Sequence, residues 1–272
     1  MNDTSQHAPQ RGAARTVAGR DAAGGERWAR PPRWFDLLAL VGPVMLATVG
    51  TYGLLLAILG VYRGWMALAL GVPTGAALLA GAWRAMPAGP PAGLRTATGA
   101  GAGAALVLAV GYLVFAAAVP SQNVVASRDP GVYLNTARWL EVEGDLDADA
   151  APPAFDGVDG LRFDSAGVYN MGDGRLEFQF SHLSSVVLSV GYEVGGFRGM
   201  FRVPALASAA GLLALYSVAV RALCRPGVAL VAPVLMAVCL PLLYVSRNTY
   251  SEPFTLALLW GTGLALADLH RR

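Results

Sequence analysis

The sequence predicts an all-α polytopic membrane protein of about six transmembrane helices, because a bilayer-crossing helix needs roughly 20 apolar residues and six long apolar runs are present. One large outer loop is expected between them, holding amphipathic juxtamembrane helices and a small β-hairpin. Composition agrees: 55% of the 272 residues are hydrophobic and 14% are charged, where soluble domains carry about 25% charged residues. The polar residues are also segregated, and a single long internal polar stretch, 120–198, interrupts the apolar runs.

Residues 1–33 are rich in Ala, Gly, Arg and polar side chains and bury no core, so a disordered cytoplasmic tail is expected. The apolar run that follows is too long for a secretory leader and lacks a small-residue cleavage site. The runs are Phe35–Gly60, Trp65–Trp83, Ala97–Val119, Gly199–Ala222, Val228–Val245 and Thr249–Ala267. The first four reach span length; the last two are shorter. This divides the chain into three transmembrane helices over 34–119, an extracytoplasmic loop over 120–198 and three more helices over 199–272. Arginines set the orientation, since cytoplasmic flanks are enriched in them. The cluster Arg27, Arg30 and Arg33, then Arg84 and Arg95, Arg221 and Arg225, and Arg271 and Arg272 fall on one side if both termini are cytoplasmic. Arg63 and Arg247 are the exceptions. A multi-pass protein of the cell membrane is expected, surrounded by membrane lipids.

Arg128-Asp129-Pro130 opens the outer loop. Acids and prolines both suit a helix start, where backbone N–H groups are unpaired. Asp129 therefore reads as the N-cap of an amphipathic surface helix, with Tyr133, Ala137 and Leu140 on one face and Asn135, Arg138 and Glu141 away from it. Gly144 is the natural stop. The acidic stretch Glu141 to Gly160 reads as a solvated loop or a weak divalent-ion site without calcium-loop spacing. Apolar and polar residues alternate over Leu176–Phe180 beyond Gly172-Asp173-Gly174, which predicts a hairpin with the run around Val168. His182 to Tyr192 is apolar but too short to span, so an interfacial or re-entrant helix is expected, broken by Gly195-Gly196.

Dinucleotide, phosphate-loop, zinc and nucleophile-elbow patterns are missing from the sequence, and no basic-aromatic patch suggests nucleic acid. Cys224 and Cys239 offer no disulfide framework and read as small buried residues. Gly99, Gly101 and Gly103 lie in an apolar run and read as close-packing positions. The second polar feature is the outer turn Ser246-Arg247-Asn248-Thr249-Tyr250-Ser251-Glu252-Pro253. Glu252 precedes a proline as Asp129 does, and the topology puts both acids on one side. Each also reads simply as a helix-start acid.

The order of these elements resembles the N-terminal portion of GT-C fold membrane glycosyltransferases, which include the protein O-mannosyltransferase-like and aminoarabinose-transferase-like families. The resemblance covers about 97–272. It rests on Asp129, Tyr133 and Ala137 as an acid-x-x-x-Tyr-x-x-x-Ala helix, on Phe180-Ser181-His182-Leu183, on Gly195-Gly196-Phe197-Arg198 through Arg202-Val203-Pro204-Ala205, and on Arg247 followed by Glu252. The sequence departs from the family in the extra hairpin 35–83, in Glu at 252 where many relatives have Asp, and in lacking the further spans with which members usually continue. The resemblance implies inverting transfer of a sugar from a polyprenyl-phosphate donor to an acceptor at the extracytoplasmic face. Asp129 would be the general base and Glu252 would orient the acceptor. Arg247 and Arg128 would face the leaving phosphate. Tyr133 and His182 could contact substrate, though core packing suits Tyr133 and a neutral interfacial role suits His182 equally. Two acids on one face could hold a divalent cation, and nothing demands one. A second membrane chain would supply the missing helices. The other class left open is a non-catalytic membrane subunit or truncated relative that binds a partner through its outer loop. A transporter fits less well, because the spans hold almost no ionisable residues.

Overall fold

The structure is a computed structural model that describes residues 29–86, 95–149, 166–172 and 174–269. Most of the expected tail, 1–28, most of the acidic stretch beyond 149, and Asp173 in the hairpin turn lie outside the described residues.

Four helices among the described residues are long and apolar enough to cross a membrane: α1 (Arg33–Ile58), α2 (Gly64–Ala85), α3 (Arg95–Ala118) and α6 (Val203–Leu223). A helix rises about 1.5 Å per residue, so each exceeds the roughly 30 Å hydrocarbon thickness. The chain is a membrane-embedded helical protein. α6 is the central helix: it packs on α1, α3 and α10 (Glu252–Leu269) and is largely buried. α1 and α2 form a tight pair in which Gly71 lies against the backbone of Val49.

The fifth apolar run is not one helix. It divides into α7 (Pro226–Ala229), α8 (Val231–Val238) and α9 (Leu240–Val245). Cys239 is extended, with φ −68° and ψ 121°. Pro241 has no N–H to bond back and its ring would clash with the carbonyl four residues earlier, so the helix ends ahead of it. Hydropathy carries no trace of this break because every residue around it remains apolar.

Outside the spans, α4 (Asp129–Val142) packs against α5 (His182–Met200). α4 ends where Gly144 takes φ +91°, a conformation natural for glycine alone. Three short antiparallel strands lie beside it in the order β1 (Ala148–Asp149), β3 (Arg175–Phe178), β2 (Val168–Gly172). Tyr169 pairs with Glu177 and Asn170 with Leu176, and a bulge follows before Gly172 pairs with Arg175. α5 is interrupted by non-helical backbone at Gly195 and Gly196.

Inside the bundle, Arg221 donates to both carboxylate oxygens of Asp36, at 2.9 and 2.7 Å. Both side chains are almost fully buried. Arg221, one of the arginines used to set the orientation, is thus ion-paired within the bundle. Of Gly99, Gly101 and Gly103 on α3, only Gly101 meets a neighbour: a Cβ there would strike the Tyr216 hydroxyl, whereas Gly99 and Gly103 face open space. Cys224 is exposed, not buried, in a left-handed turn that ends α6.

Candidate functional site

The expected site residues come from three places: the exit of α3 with the start of α4, the turn 246–251, and the start of α5. Hydrogen bonds stitch the first two together. The Ser121 amide donates to the Arg247 carbonyl at 2.6 Å. Arg247 Nε donates to the Val119 carbonyl at 2.7 Å. Asn123 Nδ2 donates to Asn248 Oδ1 at 2.6 Å. Thr249 Oγ1, fully buried, donates to the Pro130 carbonyl at 2.6 Å. One turn below, the Tyr112 hydroxyl of α3 shares a 2.6 Å hydrogen bond with Ser246 Oγ. The loop before α4 presses on its first turn at Gly131, where a Cβ would collide with the Val125 carbonyl, so only glycine fits.

This stitching sets the beginnings of α4 and α10 side by side. Asp129 and Glu252 are the first residues of those helices, and both are exposed. Asp129 is not the N-cap. Arg128 holds that position in extended backbone, with φ −144° and ψ 155° and no side-chain capping bond. The helix begins one residue earlier than a cap at Asp129 requires, so this carboxylate sits in the first turn, still favoured by the helix dipole.

Tyr133 is the residue on which both acids converge. Its ring is buried with Leu188, Met200, Phe201 and Phe254 and tilts against Phe180, centroids 5.5 Å apart. Ser251 and the backbone of Ser181 lie near enough to its hydroxyl to favour the ionised form. Burial pushes its phenol up, and the charges of Glu252 and Asp129 add to that. Phe180 reaches this contact through a left-handed backbone, φ +84°, uncommon for a non-glycine residue. Tyr250, in the turn before α10, is partly exposed. Its phenol is pushed up to about 12 by burial, by the neighbouring Tyr244 hydroxyl, and by the charges of Asp129 and Glu252.

The other expected residues are less closely gathered. Arg128 is exposed at the helix start. His182 is the first residue of α5 and half-buried; burial lowers its pKa, while Glu177 on β3 opposes that. No group of three or more His, Cys, Asp or Glu side chains able to hold a metal exists among the described residues. An open groove of about 400 Å³ lies on the outward face of α4 and is lined by Asn135, Arg138, Trp139, Val142 and Phe178, not by the two acids.

Sequence reasoning missed a second carboxyl cluster. Glu141 of α4 accepts a 2.8 Å hydrogen bond from Ser189 of α5 and lies beside Glu193. Burial and then Glu193 raise its pKa; Ser189 and Arg138 act the other way. The only sequence signal was Glu141 on the polar side of a helix, which reads as solvated. No family model matches the chain, and no curated protein or solved structure matches it.

Proposed function

We propose that the chain carries the carboxylate site of a GT-C type membrane glycosyltransferase, which moves a sugar from a polyprenyl-phosphate donor to an acceptor hydroxyl at the extracytoplasmic face. The observation that supports this best is the Thr249–Pro130 hydrogen bond, which sets Asp129 and Glu252 at one end of the bundle beside the same two tyrosines. Two exposed acids and a nearby arginine, on elements far apart in sequence, are the groups an inverting transfer needs. In that reading the acceptor oxygen attacks the anomeric carbon and passes its proton to Asp129. The bond from that carbon to the phosphate oxygen breaks, and the phosphate leaves with the electron pair. Glu252 orients the acceptor, and Arg247 offsets the charge growing on the phosphate, a role suited to a fixed guanidinium. Arg247 is anchored for this by its bond to the Val119 carbonyl.

The same reading takes the whole chain as six spans in the cell membrane with both termini cytoplasmic, the broken fifth run and α10 forming the last two. It is supported by the Asp36–Arg221 pair, which joins the start of α1 to the end of α6 as that topology requires. Asp129→Asn tests the catalytic part. A positioned base contributes about 10² to 10⁴-fold, so transfer from a polyprenyl-phosphate sugar should fall by that factor while membrane insertion is unchanged. Undiminished transfer would remove Asp129 from the role.

A further inference from the structure

The turn 246–252 presents, in order, a cation at Arg247, an aromatic ring at Tyr250 and an acid at Glu252, with Asp129 brought against it from α4. Tyr244 and Tyr250 form a pair at this turn, their ring centroids 5.7 Å apart at 50°. Tyr244 is 56% exposed and Tyr250 partly so, in contrast to Tyr133, which is buried beneath.

From this arrangement we propose that Tyr250, backed by Tyr244, is the platform for the pyranose ring of the donor, between the phosphate at Arg247 and the acceptor at Asp129 and Glu252. The proposal rests on the glycosyltransferase reading and adds to it the side chain that reads the sugar. Its logic is electrostatic and steric. Two carboxylates repel a phosphate but accept hydrogen bonds from sugar hydroxyls, so the group beside them is the sugar. An exposed phenol face offers the apolar surface on which the C–H side of a pyranose packs, and a protonated hydroxyl at its rim can donate. A tyrosine that merely sat in the interfacial aromatic belt would need neither a second ring against it nor two acids beside it.

The test uses the full chain in lipid nanodiscs and two probes. Saturation-transfer NMR with methyl hexopyranosides reads the sugar alone. Retention of sugar-free polyprenyl phosphate reads the lipid phosphate alone. Tyr250→Leu should weaken pyranoside binding by about three- to ten-fold, the usual worth of an aromatic contact, and leave polyprenyl phosphate retention unchanged. Tyr250→Phe keeps the ring and should keep most of the binding, which separates loss of the platform from loss of fold. Arg247→Gln should do the reverse of Tyr250→Leu. If the wild-type protein binds no pyranoside, or if Tyr250→Leu binds it as well as wild type, the platform is refuted. If pyranosides bind in a Tyr250-dependent way but polyprenyl phosphate is not retained, the platform stands and the polyprenyl-phosphate donor falls.

Discussion

Replacing Arg221 with Leu isolates the energetics of the buried ion pair. Arg221 and Asp36 are 2% and 4% exposed and are joined by two hydrogen bonds of 2.9 and 2.7 Å. Removing the guanidinium takes both of these hydrogen bonds and the opposite charge of Arg221 away from an almost fully buried carboxylate. A buried pair broken on one side costs about 3–5 kcal/mol, far more than the pair contributes relative to apolar residues of similar size. Asp36→Leu should cost a similar amount by taking the carboxylate from a buried guanidinium, which keeps its bond to the Ser217 carbonyl. The double variant Asp36→Leu with Arg221→Leu should recover most of the loss, since both desolvation penalties vanish together. The assay is reversible unfolding in mixed micelles, run as a double-mutant cycle at two salt concentrations. A coupling of about 2 kcal/mol or more is expected, since residues in direct contact are the ones that fail additivity. It should be insensitive to salt, because screening acts on exposed charges. Additive single effects, or a coupling that fades with salt, would refute the inference that the pair is desolvated.

Gly101→Ala should destabilise by about 1–3 kcal/mol, as overpacking does, and Tyr216→Phe should rescue it by removing the hydroxyl in the way. Gly99→Ala and Gly103→Ala, facing open space, should be neutral or stabilising in the same unfolding assay. The Glu141–Glu193 pair makes the α4–α5 contact pH-dependent. Because the Glu141 pKa is raised above its ordinary value of 4.5, its contribution is complete below that value and is lost as pH rises through the raised one. Hydrogen exchange of the α4 and α5 amides, corrected for intrinsic rates, should therefore show weaker protection toward neutral pH, and Glu141→Gln should flatten the profile; an unchanged profile in that variant would assign the dependence to another group.

The spans α1, α2, α3 and α6 were legible because hydropathy over some 20 residues is a local property. The stop of α4 at Gly144 was legible for the same reason, since a left-handed backbone conformation is a single-residue matter. Reading Asp129 as a cap failed by one residue, because acids at the capping position and in the first turn look alike in sequence. The single helix expected over Val228–Val245 failed at Pro241, whose effect inside an apolar run depends on whether neighbours re-satisfy the freed carbonyls. Tyr250 was visible in the polar turn but carried no mark that set it apart from an interfacial tyrosine.

By itself the sequence determined a membrane-embedded helical protein, its long apolar helices and the two polar segments between apolar runs, since these follow from composition and short-range backbone preference. Only the tertiary structure decided which groups meet. Asp36 finds Arg221 across 185 residues, Glu141 finds Glu193, and Thr249 ties the turn before α10 to the start of α4 across 119 residues. A charge or hydroxyl in a low-dielectric interior must be matched by a partner, but the chain fixes that partner only through helix packing.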